Sequence, residues 1–94
     1  MKLGTAVVVT TEFRGVFFGY LKGKASNSLT LEKARNCIYW SSEVKGFMGL
    51  ASTGPTKSCK IGPPVKNIEL KKVTSVIQCD DPAISAWEAA PWSN

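Results

Sequence analysis

Histidine is missing from this chain of 94 residues. Its absence excludes the commonest general base near neutral pH, the commonest metal ligand and a histidine pH switch. Cysteine is scarce and scattered: Cys37, Cys59 and Cys79 lie 22 and 20 positions apart, with no CxxC pair. A structural zinc needs four ligands in close pairs, so no metal site is expected. The odd count argues against a fully paired disulfide framework and favours buried thiols in a reducing compartment, with one bridge as the alternative. No apolar run is longer than the four residues of Ala6–Val9, against the roughly 18–20 that a membrane helix requires. Met1-Lys2-Leu3 opens no long apolar segment of the kind that directs secretion. A soluble, cytoplasmic protein without a membrane partner is expected.

Catalytic groups are equally sparse. Asp80 and Asp81 are adjacent, and neighbours on a strand point to opposite faces, so they form no carboxylate pair. Serine and threonine are plentiful, but no histidine stands ready to activate them. Gly49–Thr56 (GLASTGPT) matches the phosphate-loop pattern GxxxxGK[ST] except at Pro55. Proline supplies neither the ammonium nor the backbone amide that a bound triphosphate needs there. The sequence therefore points away from an enzyme, and no catalytic residue or cofactor is assigned.

What is present is a globular composition, 44% hydrophobic and 20% charged, in a single domain spanning residues 1–94. Charge is uneven. Residues 1–79 hold twelve basic and four acidic side chains, whereas residues 80–94 hold three acidic ones and no base. A basic body suits an anionic partner such as a nucleotide or nucleic acid. Simple solubility accounts for the same net +5.

The pattern predicts strands within residues 5–79 and a helix over 82–90. Thr5–Thr11 is almost wholly β-branched, and Val16–Lys22 is apolar on both faces, which predicts a strand covered on both sides. Gly19 in its middle predicts a bulge or sharp bend. Lys22–Ser28 reads as a polar turn, Leu29–Arg35 as an alternating strand that breaks at Asn36, and Cys37–Trp40 as its continuation. Ser41–Pro64 holds four of the eight glycines and three of the five prolines, so it is the long central loop; a helical turn opens at Ser42, and Phe47, Met48 and Leu50 are there to be buried. Asn67–Leu70 and Val73–Cys79 are the last strands. Asp81 reads as a helix N-cap before Pro82, and Ile84 and Trp87 form the stripe that packs on the sheet. The expected fold is mainly β: a small antiparallel β-barrel or curled sheet of SH3-like or Sm-like shape, with the long central loop and a C-terminal helix.

The stretches VVVTTEFRGVFFGYL, ARNCIYW, GFMGLASTGP and AWEAAPW together resemble a family of small uncharacterised bacteriophage proteins. The resemblance covers nearly the whole chain. It implies a viral origin and a host-cytoplasm setting, and transfers no site residue. A second likeness is architectural: RGVFFGYL, a polar turn and SLTLEKARN are similar to the first motif of Sm-like small barrels, in which an Asn placed like Asn36 contacts a base. The chain departs from that pattern by carrying its clear helix at the end and lacking the second motif, so the likeness bears on shape alone.

Arg14 and Arg35 are the only arginines, and a guanidinium gives the planar, bidentate anion recognition that an ammonium does not. Both are expected at strand ends, beside the aromatics Phe13, Tyr39 and Trp40. The loop Gly54–Gly62 adds Lys57 and Lys60, which share a face only if the backbone between them is not extended. Arg14, Arg35, Asn36, Tyr39, Lys57 and Lys60 are accordingly the candidate ligand-binding residues. The competing interpretation puts Tyr39 and Trp40 in the core, with the arginines paired to Glu12 and Glu32. Phe17, Leu21 and Trp92 are expected at a subunit interface, because a domain this small gains from self-association. The functional expectation is a non-enzymatic, homo-oligomeric phage protein that binds a nucleotide or nucleic acid. The alternative is a virion or scaffold component with protein partners only.

Overall fold

The computed structural model describes residues 1–90. Six antiparallel strands form one sheet: β1 (Ala6–Thr11), β2 (Gly15–Ala25), β3 (Ser28–Tyr39), β4 (Lys60–Ile61), β5 (Val65–Lys71) and β6 (Val73–Gln78). The order is β4-β3-β2-β1-β6, with β5 pairing β3 along Ser28–Ala34. Two helices, α1 (Gly46–Ser52) and α2 (Asp81–Ala89), complete the architecture. The fold is mainly β with a C-terminal helix, as expected, and the sheet curls without closing into a barrel.

The curl follows from one connection. Lys72 alone separates β5 from β6, so the Cα atoms of Lys71 and Val73 lie at most about 7.6 Å apart. Yet β5 and β6 are four ladder steps apart in the sheet, about 19 Å if it were flat. Bulges supply the bending. Opposite Gly19 the register of β3 carries an extra residue, and Lys33 there has φ 53°. A Cβ at Gly19 would sit 2.9 Å from Leu31 Cβ, so glycine is needed where the strands press together. A second shift lies between Leu21 and Gly23, and a third between Thr10 and Thr11 against β6.

Both faces of the curled sheet are covered. Val7, Val9, Leu21, Leu29, Leu31, Ala34 and Leu70 form the inner cluster. Ala6, Val8, Val16 and Phe18 face outward onto Leu50 and Ala51 of α1 and Ala83 and Trp87 of α2. Trp87 is fully buried. Its indole stacks on Phe18 with centroids 5.1 Å apart, and its Nε1–H donates to the Leu50 carbonyl at 2.9 Å. Gly54, at φ 86°, lets the chain leaving α1 press against α2, where a Cβ would meet Ala86 Cβ at 2.6 Å.

Several boundaries differ from expectation. β2 runs on to Ala25, leaving Ser26-Asn27 as the whole β2–β3 turn. β3 passes through Asn36 without a break. α2 begins one residue early: Asp80 is the N-cap, with its carbonyl accepting from Ala83 and Ile84. Pro82 still falls in the first turn, where its missing N–H removes no helical bond. In α1 Leu50 is buried, but Phe47 and Met48 are exposed. Leu21 is buried in the inner cluster at 2% exposure, so it is not an interface residue. Phe17 is half-buried against the same cluster, and Trp92 lies outside the described residues.

Truncating Trp87 removes the packing between sheet, α1 and α2 at once. Trp87→Ala should destabilise the fold by about 3–5 kcal/mol, read as a lowered urea midpoint. A shift below 1 kcal/mol would show that α2 is dispensable.

Candidate ligand-binding surface

The β1–β2 connection has an unusual backbone. Thr11 pairs with Gly15, so Glu12, Phe13 and Arg14 must reverse the chain. Phe13 (φ 62°, ψ 31°) and Arg14 (φ 67°) both adopt the left-handed region, which costs a residue with a Cβ roughly 1–2 kcal/mol. Burial does not offset this, because Phe13 is 93% exposed. The turn thus holds a benzyl group in water beside an arginine.

Arg14 borders two adjoining clefts. One, of about 510 Å³, is walled by Trp40, which follows β3, Phe47 from α1 and the hydroxyl residues Thr10, Thr74 and Ser75. The other, of about 230 Å³, is lined by Cys37, Ile38, Tyr39 and Trp40. The Thr10 hydroxyl, on the floor of the first, shares hydrogen bonds with Thr74 (2.7 Å) and Ser75. Arg14 is exposed and, among the described residues, has no carboxylate within ion-pair distance. Among the described residues the one such pair is Lys72 with Glu12, at 3.9 Å.

The expected residues divide between places. Tyr39, about half exposed, lies beside Arg14 and pairs across the ladder with Lys60. Lys57 occupies the turn closed by the Cys59 N–H on the Thr56 carbonyl, so the backbone there is not extended. That turn is held by the Thr56 and Ser58 hydroxyls, which donate to Glu43 at 2.6 Å each and lower its pKa. Asn36 is exposed but lines another cleft, of about 190 Å³, with Phe17, Pro63 and Ile68.

Arg35 is not at a rim. It is 5% exposed, and donates from Nε to the Gly62 carbonyl (2.9 Å) and from Nη1 to the carbonyls of Trp87 (2.7 Å) and Ala90 (3.1 Å). It thus closes the C-terminus of α2, where a cation also meets the negative end of the helix dipole. Burial lowers its pKa, although a guanidinium remains charged in proteins. Neither arginine pairs with Glu12 or Glu32.

Two features escaped the sequence pattern. Phe47 and Met48 are surface groups of α1, although their apolar character suggested burial. Lys24, Lys71 and Lys72 gather at a further cleft; the only sequence signal was Lys71-Lys72 at the tightest connection. Among the described residues no three His, Cys, Asp or Glu side chains come together as a metal site. No helix among them is long and apolar enough to cross a membrane.

A family model described as Domain of unknown function (DUF6948) matches residues 4–87, and the chain belongs to that family. The match takes in all six strands and most of α2. No curated protein and no solved structure matches the chain.

Two predictions follow from the buried polar groups. Arg35→Ala should cost about 3 kcal/mol, because charged hydrogen bonds are lost and buried carbonyls left unpaired; an unchanged melting temperature would contradict the helix-closing role. The three cysteines are free and buried, and burial pushes the Cys37 and Cys79 thiols up to about 12, with Cys59 and Asp80 respectively adding to the shift. The unfolded chain ionises them first, at an ordinary value of 9.0. It therefore binds fewer protons than the folded state above that pH, so stability should fall from pH 9 towards pH 12. Denaturant melts of the native chain and of Cys37→Ala/Cys79→Ala should diverge over that window, and parallel curves would refute the assignment.

Proposed function

We propose that the chain is a non-catalytic binding protein that holds a nucleotide or nucleic acid on the surface around Arg14. The observation that carries this is the strained turn that displays Phe13, and Arg14 with no acidic partner among the described residues, at the edge of a cleft walled by Trp40 and Phe47. A guanidinium takes phosphate oxygens in bidentate fashion, and each aromatic that stacks a base contributes about 1–3 kcal/mol. Tyr39 and Lys60 extend the same surface. The resemblance to small bacteriophage proteins gives the host cytoplasm as the setting, and three unpaired thiols fit a reducing compartment. Self-association belongs to the same proposal: it gives a domain of this size additional buried surface.

A second reading is favoured by the exposed apolar groups. Phe13, Ile38 and Met48 are each more than half exposed, and such a set also suits a protein partner, as in a virion or scaffold component.

The test is binding of mononucleotides, cyclic dinucleotides, single-stranded RNA and single-stranded DNA at low salt. Arg14→Ala should weaken the binding at least tenfold. Phe13→Gly should separate strain from function, raising stability by about 1 kcal/mol while lowering affinity. No affinity for any probe would remove the nucleotide reading and leave the protein-partner one.

A further inference from the structure

A cleft of about 560 Å³ opens where the tip of the β2–β3 hairpin meets the link between β5 and β6. Its walls carry Lys24, Lys71 and Lys72, with Ser26, Asn27 and Ser28 from the hairpin tip, over a floor that includes Leu29 and Val73. No carboxylate lines it. Among the described residues Lys72 alone of the three ammonium groups has an acidic partner, Glu12 at 3.9 Å, with both side chains well exposed; such a contact is worth little. Lys24 and Lys71 have none among those residues. Three cations from two elements around a concavity, two of them without an acidic partner among the described residues, make a field that draws an anion inward. The serine hydroxyls and the Asn27 amide add neutral donors. The Leu29 and Val73 floor gives the anion an apolar side to lie on.

This cleft shares no lining residue with the Arg14 cleft but is linked to it through the backbone. The Lys72 carbonyl accepts from the Glu12 N–H at 3.1 Å, which ties the β1–β2 turn to the β5–β6 link. Lys72 and Val73 border the lysine cleft, and the next two residues, Thr74 and Ser75, border the Arg14 cleft. Three strand residues span about 10 Å, and each cleft alone has the volume of a small-ligand site. An occupant of both is therefore a polymer.

Resting on the nucleotide reading of the Arg14 surface, we propose that the ligand is a single-stranded nucleic acid, with its phosphodiester backbone in the Lys24–Lys71–Lys72 cleft and its bases at the Phe13–Trp40 side. Phosphates set affinity through the lysines, and aromatic faces accept any base, so binding depends on length and salt more than on sequence.

The experiment is fluorescence anisotropy with labelled uridine monophosphate and labelled oligouridylate and oligothymidylate of two, four and eight nucleotides. It compares the native chain, Lys24→Ala/Lys71→Ala and Arg14→Ala. Lys24 and Lys71 are exposed, so the melting temperature of the double variant checks that the fold is kept. The expected result is an octamer affinity at least tenfold above the mononucleotide. The double variant should lose that gain, keep the mononucleotide affinity and show a salt slope lower by about 1.4, from two phosphate contacts at 0.7 each. Octamer binding unchanged in the double variant overturns the lysine cleft while leaving the Arg14 surface standing. Displacement of the octamer by polyglutamate as readily as by unlabelled octamer also overturns it, in favour of an acidic protein. Loss of neither affinity in Arg14→Ala, or no binding by any probe, removes the Arg14 reading and this inference with it.

Discussion

The structure depends on the single residue between β5 and β6. Those strands occupy opposite sides of the ladder, β5 on β3 and β6 on β1, yet Lys72 alone joins them. The sheet has to curl until its edges approach at that end, and an inner and an outer face are created together. The inner face is small enough to be filled by aliphatic side chains of the sheet itself. The outer face is convex and needs a cover, which α1 and α2 provide. The same connection places Lys71 and Lys72 next to the β2–β3 hairpin tip, so the demand that bends the sheet also gathers its lysines.

A second constraint links the sheet to its cover. Arg35, on β3, reaches the last carbonyls of α2 and the chain following β4. Trp87, which supplies one of those carbonyls, stacks on Phe18 and donates to α1. Tyr20 adds an outer contact, its hydroxyl donating to Glu88; burial, then this carboxylate, raise the phenol pKa. Closing a helix with a buried guanidinium needs the donor fork that lysine lacks. The two arginines thus divide the work: Arg35 is structural, and Arg14 stands at the surface.

That division was not legible in the sequence, and β3 shows why. Strict alternation from Leu29 and Leu31 would put residues 33, 35 and 37 on the inner face. The extra residue opposite Gly19 reverses the parity, so Ala34 joins the inner cluster while Arg35 and Cys37 turn outward beneath the helix layer. Gly19 signalled a bulge, but not which strand held the extra residue. The two-sided burial of β2, the helical turn at Ser42 and the stripe of Ile84 and Trp87 were legible because each rests on local pattern. The burial of Leu21, the exposure of Phe47 and Met48 and the meeting of Lys24 with Lys71 rest on the curl. Contacts made by closing distant edges leave no period in the chain.

Backbone strain separates architecture from display. Among the described residues five other than glycine have positive φ: Phe13, Arg14, Lys33, Lys45 and Lys72. At Lys33 the strain makes the bulge that turns Arg35 outward, at Lys45 it begins α1, and at Lys72 it makes the one-residue link. Each of these three has a structural return in buried surface nearby. Phe13 and Arg14 have none: one is almost wholly in water and the other has no acidic partner among the described residues. A turn of this kind is met more cheaply by Asn-Gly or Gly-Gly, so the fold does not ask for these two side chains. Strain without a folding gain collects at functional sites, which is why the proposed ligand surface is centred on this turn, where Arg14 borders both aromatic clefts and Phe13 stands beside it in water.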